Sequence, residues 1–227
     1  MTLRRAYRWI VFALAAGYLL RQIVMSDYDA FGGPFRFLTI WALCASFFVA
    51  SRMLAQEEGR TRRRWDGLVG ATAVMNLMVV FLYWRLYFAD PFSVQADGEL
   101  GAWWLEMYLH ALGPALQWID ALFIHRGFRR PLASVAWLIG IVAAYFAWIE
   151  LAVAPRNGSP AGDVTSGLPY PFLNDLDVGG RAAFYLTNVG VALAVLAAFT
   201  ALGWLIARTF PRPEAPGALP GSSDRSG

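Results

Sequence analysis

Two side chains of this 227-residue chain pair chemically as a nucleophile and its base: Thr39 and His110. A hydroxyl becomes a nucleophile when a neighbouring base takes its proton. Histidine is the side chain best suited to that task near neutral pH. Both residues also have a plain structural reading. A threonine in an apolar helix bonds readily to the carbonyl one turn back, and a lone imidazole can bond to a backbone carbonyl or a neighbouring side chain. Residue type alone leaves both readings open.

Other polar groups qualify the picture. Glu106 precedes His110 by four residues, a spacing that places them on one helix face. The pair suits a metal or a carboxylate that orients the imidazole. With one cysteine, Cys44, and one further histidine, His125, the ligands for a metal are too few. No metal or cofactor is expected. Asn76 and Asn188 could bind helices together or donate to an oxyanion, as could a backbone amide freed near Gly113. Arg36 and Arg181 could anchor at the interface or capture a substrate carboxylate.

The elements that must position these groups are membrane helices. Hydrophobic residues make up 58% of the chain and charged residues only 15%, against a usual share nearer one half and one quarter. The apolar runs are about 20 residues long without period-2 alternation, so helices are expected over barrel strands. Six spans are read at roughly 7–24, 35–54, 67–88, 102–124, 131–152 and 181–206. Gly113-Pro114 interrupts the fourth and should bend or loosen it just after His110. A membrane domain over 1–210 and a disordered cytoplasmic tail over 211–227, rich in Pro, Gly and Ser, complete the all-α organisation.

Charge gives orientation. All 19 basic residues are arginine. If both termini share a side with the loops after spans 2 and 4, that side holds 14 of the 19, which places both termini in the cytoplasm. The net charge of +3 is explained by these short loops, so no nucleic-acid partner is implied. At 1.5 Å per residue, Thr39, His110 and Asn188 fall in a shared slab roughly 6–12 Å below the outer surface. Asp120 lies towards the cytoplasm and should pair with an arginine near that exit.

Three segments carry a resemblance: F-G-G-P-F-R-F-L-T at 31–39, L-H-A-L-G-P-A-L-Q-W-I-D at 109–120, and Y-P-F-L-N-D-L-D-V-G-G-R at 170–181. In that order, on a six-span chain of this length, they resemble the androgen-induced/androgen-dependent (FAR-17a-like) membrane protein family, over roughly residues 5–208. Animal members are threonine hydrolases that cleave fatty acid esters of hydroxy fatty acids. The resemblance implies Thr39 as nucleophile and His110 as its partner. The proline of the second segment falls one place nearer the histidine than the family pattern. The expectation is an intramembrane lipid esterase of the bacterial cytoplasmic membrane acting on a membrane lipid ester. The alternative is a non-catalytic carrier or scaffold, against which stand the lack of an internal repeat and of paired interrupted helices.

Overall fold

The structure, a computed structural model, describes residues 2–94, 101–158 and 161–210. Asp97 and Glu99, between the third and fourth expected spans, and the tail 211–227 lie outside the described residues. Helix α1 covers Leu3–Met25, α2 Leu38–Glu57, and α3 Asp66–Ala89. A helical run over 103–124 follows: α4 (Trp103–Met107), a π-turn (Tyr108–Leu112), α5 (Gly113–Ile119) and a second π-turn (Asp120–Ile124). Helix α6, Pro131–Trp148, continues through a π-turn and a 3-10 turn to Arg156. A single short turn, α7 (Pro171–Asn174), precedes α8 (Val178–Thr209). No strand forms among the described residues beyond an isolated bridge between Ala161 and Ser166.

Five helices are long and apolar enough to cross a membrane: α1, α2, α3, α6 with its extension, and α8. The run over 103–124 is absent from that set although it is long enough, because Glu106, His110, Gln117 and Asp120 lower its hydropathy. Its junction residues Tyr108, Gly113 and Asp120 keep right-handed helical dihedrals.

Helix α3 is the centre of the bundle and is buried along most of its length, whereas α1, α6 and α8 leave most of their surface facing outward. Small residues explain its position. A Cβ on Gly67 would sit 2.8 Å from the Ala133 Cβ of α6, so only glycine lets the two backbones approach this closely. Val74, Met75, Leu122, Leu138 and Leu196 fill the core around it.

The two ends of the bundle are tied by polar contacts. At one end Arg8 is buried and grips Asp120 with two bonds, Nε to Oδ2 at 3.0 Å and Nη2 to Oδ1 at 2.9 Å. It also reaches the Met53 carbonyl and Glu57. His125 meets Asp66 at 2.8 Å at that same end. At the other end Asn157 pairs with the backbone of Phe31 through both its amide atoms, clamping the loop before α2 to the end of the α6 extension.

Candidate active site

Helix α2 begins later than expected. Residues Gly33–Arg36 form a 3-10 turn, Phe37 is the extended N-cap, and the α-helix starts at Leu38. Thr39 is therefore in the first turn of the helix rather than one turn inside it. The cause is the Gly32-Gly33-Pro34 turn. Gly33 has φ +46, and a Cβ there would lie 2.6 Å from the Tyr28 ring, so the turn is held tight by a position only glycine can occupy.

This late start releases the Thr39 hydroxyl. A threonine would bond to the carbonyl three or four residues back. The Phe35 carbonyl already accepts the indole N–H of Trp41 at 2.9 Å and of Trp148 at 3.1 Å. The Arg36 carbonyl accepts the Tyr145 hydroxyl at 3.1 Å. Thr39 Oγ1 turns instead to His110 Nε2, 3.4 Å away. That is long for a hydrogen bond.

His110 sits in the first π-turn, not simply beside a proline kink. Gly113 donates its N–H to the Tyr108 carbonyl, and a Cβ on Gly113 would crowd that oxygen at 2.9 Å. Pro114 has no N–H to give the carbonyl of His110, four residues before it. The Trp84 indole supplies the missing donor at 2.8 Å. Three contacts hold the imidazole. Tyr83 stacks on it with centroids 3.5 Å apart and planes within 3°, Glu106 Oε2 lies 3.0 Å from Nδ1, and Thr39 faces Nε2. The carboxylate contact is short but off the axis of the ring N–H, so it acts more by charge than as an aligned hydrogen bond. A carboxylate at Nδ1 favours the tautomer protonated there and leaves Nε2 able to accept a proton. Glu106 and His110 are both buried.

The pair lines a cavity of about 350 Å³, within the size range of small-molecule sites. Its walls are mostly apolar, from Met78, Leu82, Leu138, Val142 and Phe184 among others, and Arg36, Asp27 and Gln22 add polar groups to the lining. Burial lowers the Arg36 pKa and Asp27 opposes the shift.

The other sequence candidates divide. Asn188 lines the cavity but donates to its own helix at Phe184, 2.8 Å. Asn76 is outside it, bonded to Ser46 at 2.9 Å, beside a pocket of about 20 Å³ that Thr39 also borders and that has room for about one water. Arg181 does not line the cavity either. It pairs with Glu150 at 3.0 Å and bonds Thr165 and the Leu176 carbonyl. The amide of Gly113 is used by the π-turn. Among the described residues no three of His, Cys, Asp and Glu converge to hold a metal. Sequence reading missed Tyr83 and Trp84, whose aromatic types say only "interface" or "core" until their partner is known. Asp120 pairs with an arginine as expected, although that arginine comes from α1.

The family model described as FAR-17a/AIG1-like protein matches residues 6–203. No curated protein and no solved structure matches the chain.

Proposed function

We propose that this chain, which belongs to the FAR-17a/AIG1-like family, is an intramembrane lipid esterase in which Thr39 is the nucleophile and His110 the base. The observation that carries the reading is the meeting of Thr39 Oγ1 and His110 Nε2, 3.4 Å apart, at the wall of a largely apolar cavity. A carrier would leave these two groups to separate neighbours or along a path through the membrane. The substrate is a fatty acid ester of a hydroxy fatty acid or a similar lipid ester, which partitions into the bilayer.

The cycle has two halves. Thr39 Oγ1 attacks the ester carbonyl as His110 Nε2 takes its proton, while Glu106 holds the charge that develops on the imidazole. The alcohol leaves with the proton from Nε2, and the acyl group stays on Thr39. Water, activated by Nε2, then releases the acid. Arg36 lies where it can face a charged end of the substrate. Asn76, Asn188 and Arg181 enter this reading as supports of the site rather than as reacting groups.

The enzyme reading includes six crossings, with the helical run 103–124 as the fourth and both termini in the cytoplasm of a bacterium. The arginine distribution and the end contacts of Arg8 and Asn157 support it. A purified wild-type protein is expected to hydrolyse lipid esters in a substrate panel. Thr39→Ala and His110→Ala are each expected to lower kcat at least about 10²-fold without loss of folding. Retained hydrolysis in Thr39→Ala removes the nucleophile assignment.

A further inference from the structure

The segment 170–181 takes no part in the chemistry described so far, yet it is built to a tight specification. Asn174 accepts the Leu168 N–H at 3.2 Å and donates to the Leu168 carbonyl at 3.1 Å and the Tyr170 carbonyl at 3.4 Å. Its own carbonyl receives the amides of Val164 and Thr165. Arg181 fastens Thr165 and the Leu176 carbonyl to Glu150 of the α6 extension. The result of this scaffolding is the position of one phenol. Tyr170 lines the same cavity as Thr39 and His110, and its hydroxyl oxygen accepts the Leu38 N–H at 3.2 Å.

Helix α2 starts at this point, so its first amides lack helical partners. Phe37 gives no side-chain cap. Leu38 N–H goes to Tyr170 and Ile40 N–H to the Phe37 carbonyl at 3.1 Å. The amide between them, Thr39 N–H, has no acceptor among the described residues. The helix dipole adds a positive field there. Burial pushes the Tyr170 pKa up, so the phenol keeps its proton. The Tyr145 hydroxyl is its hydrogen-bonded neighbour, and Tyr145 gives its own proton to the Arg36 carbonyl. In the resting site the Tyr170 proton therefore turns to the Tyr145 oxygen, and an oxyanion, a stronger acceptor than a neutral hydroxyl, draws it away.

We infer that Tyr170 is a catalytic residue: its hydroxyl, together with the Thr39 N–H, forms the oxyanion hole of the site. The inference rests on the esterase reading of Thr39 and His110. As the Thr39 Oγ1–carbon bond forms and the hydroxyl proton passes to Nε2, the carbonyl π pair moves onto the carbonyl oxygen. Tyr170 and the Thr39 amide hydrogen-bond that oxygen and transfer no proton. The pair returns to carbon when the bond to the alcohol oxygen breaks, and the alcohol leaves with the proton from His110. Leu38 and Thr39 are neighbours, one Cα step of about 3.8 Å apart. A donor anchored on the Leu38 amide therefore stands one residue from the nucleophile. This role gives the third sequence segment a chemical purpose.

The test compares full-length wild type with Tyr170→Phe. Loss of one oxyanion donor is expected to lower kcat by about 10²–10³-fold while KM stays within about threefold. Affinity for a long-chain trifluoromethyl ketone, which a nucleophile converts to an anionic hemiketal, is expected to fall by a similar factor. Affinity for the matching unreactive ether should hold. If kcat is unchanged, or if ether and ketone lose affinity alike, Tyr170 only braces the start of α2 and the inference is overturned. Should Tyr170→Phe not fold, 3-fluorotyrosine at position 170 keeps the shape and strengthens the donor. At a pH where that phenol stays protonated, kcat and ketone affinity are expected to rise together, and the lack of such a trend overturns the inference. A ketone that binds Thr39→Ala as well as wild type refutes the nucleophile itself, an outcome separate from failure of Tyr170 alone.

Discussion

A hydroxyl that would ordinarily bond to its own helix is set free at position 39 by three aromatic donors, because Trp41, Trp148 and Tyr145 already hold the two carbonyls it would seek. At this scale the sequence was informative about the pair that meets at the cavity and silent about its support. Thr39 and His110 stood out by type, depth and the resemblance, and Glu106 by its i, i+4 spacing. Tyr83, Trp84 and Tyr170 did not, because an aromatic ring reads as core or interface until its partner across the bundle is known. Glu106 yields a prediction of its own. Glu106→Gln preserves shape and removes the charge 3.0 Å from Nδ1, so the imidazolium that forms during catalysis loses its counter-charge. The expected outcome is a kcat lower by about ten- to a hundredfold, the lower part of the range for acid–base assistance, with KM unchanged in steady-state ester hydrolysis. A Gln variant with full kcat would show that the carboxylate is a packing group.

At the scale of elements, two departures from regular helix make the site. The 3-10 turn before α2 lowers the start of the helix to Leu38. The π-turn at Tyr108–Leu112 presents His110 from a widened backbone. Gly113-Pro114 announced a disturbance in the fourth run, but not its form. A missing N–H at 114 can produce a kink or a π-turn, and the choice depends on Trp84 standing in for the lost donor, a contact between positions 26 residues apart. This dependence can be measured. Trp84→Phe leaves the His110 carbonyl without that donor and is expected to cost about 1–3 kcal/mol in reversible unfolding in mixed micelles. In a Pro114→Ala background an amide at 114 can serve the carbonyl instead, so Trp84→Phe should cost distinctly less there. Equal costs in the two backgrounds would separate the indole from the proline and remove this account of the π-turn.

The whole molecule is ordered by charge at one end and by loop clamps at the other. Hydropathy made the helices legible, and the expected bounds of α3, 67–88, miss the observed Asp66–Ala89 by a single residue at each end. A fourth pass was harder to recognise in the fold, because Glu106, His110, Gln117 and Asp120 lower the hydropathy of the run over 103–124. Arginine distribution favours it, since 14 of the 19 arginines share a side only if the run over 103–124 traverses the membrane. Arg8 binding Asp120 at one end, and Glu106 and His110 joining the cavity beside Thr39 towards the other, fit the same traverse. Parity makes a sharp test. Between positions 62 and 158 the chain makes three passes if 103–124 crosses and two if it does not. In a Cys44→Ala background, Gly158→Cys adds a side chain where nothing lies within 4 Å of the Cβ, and Arg62→Cys falls on an exposed loop residue. A membrane-impermeant maleimide is expected to label the first in intact cells and the second only after the membrane is opened. Three passes put the two cysteines on opposite sides, with the cavity placed in the outer half of the bilayer. Labelling of both from one side would leave two passes and would move the Thr39–His110 pair away from the depth at which a lipid ester and water can both reach it.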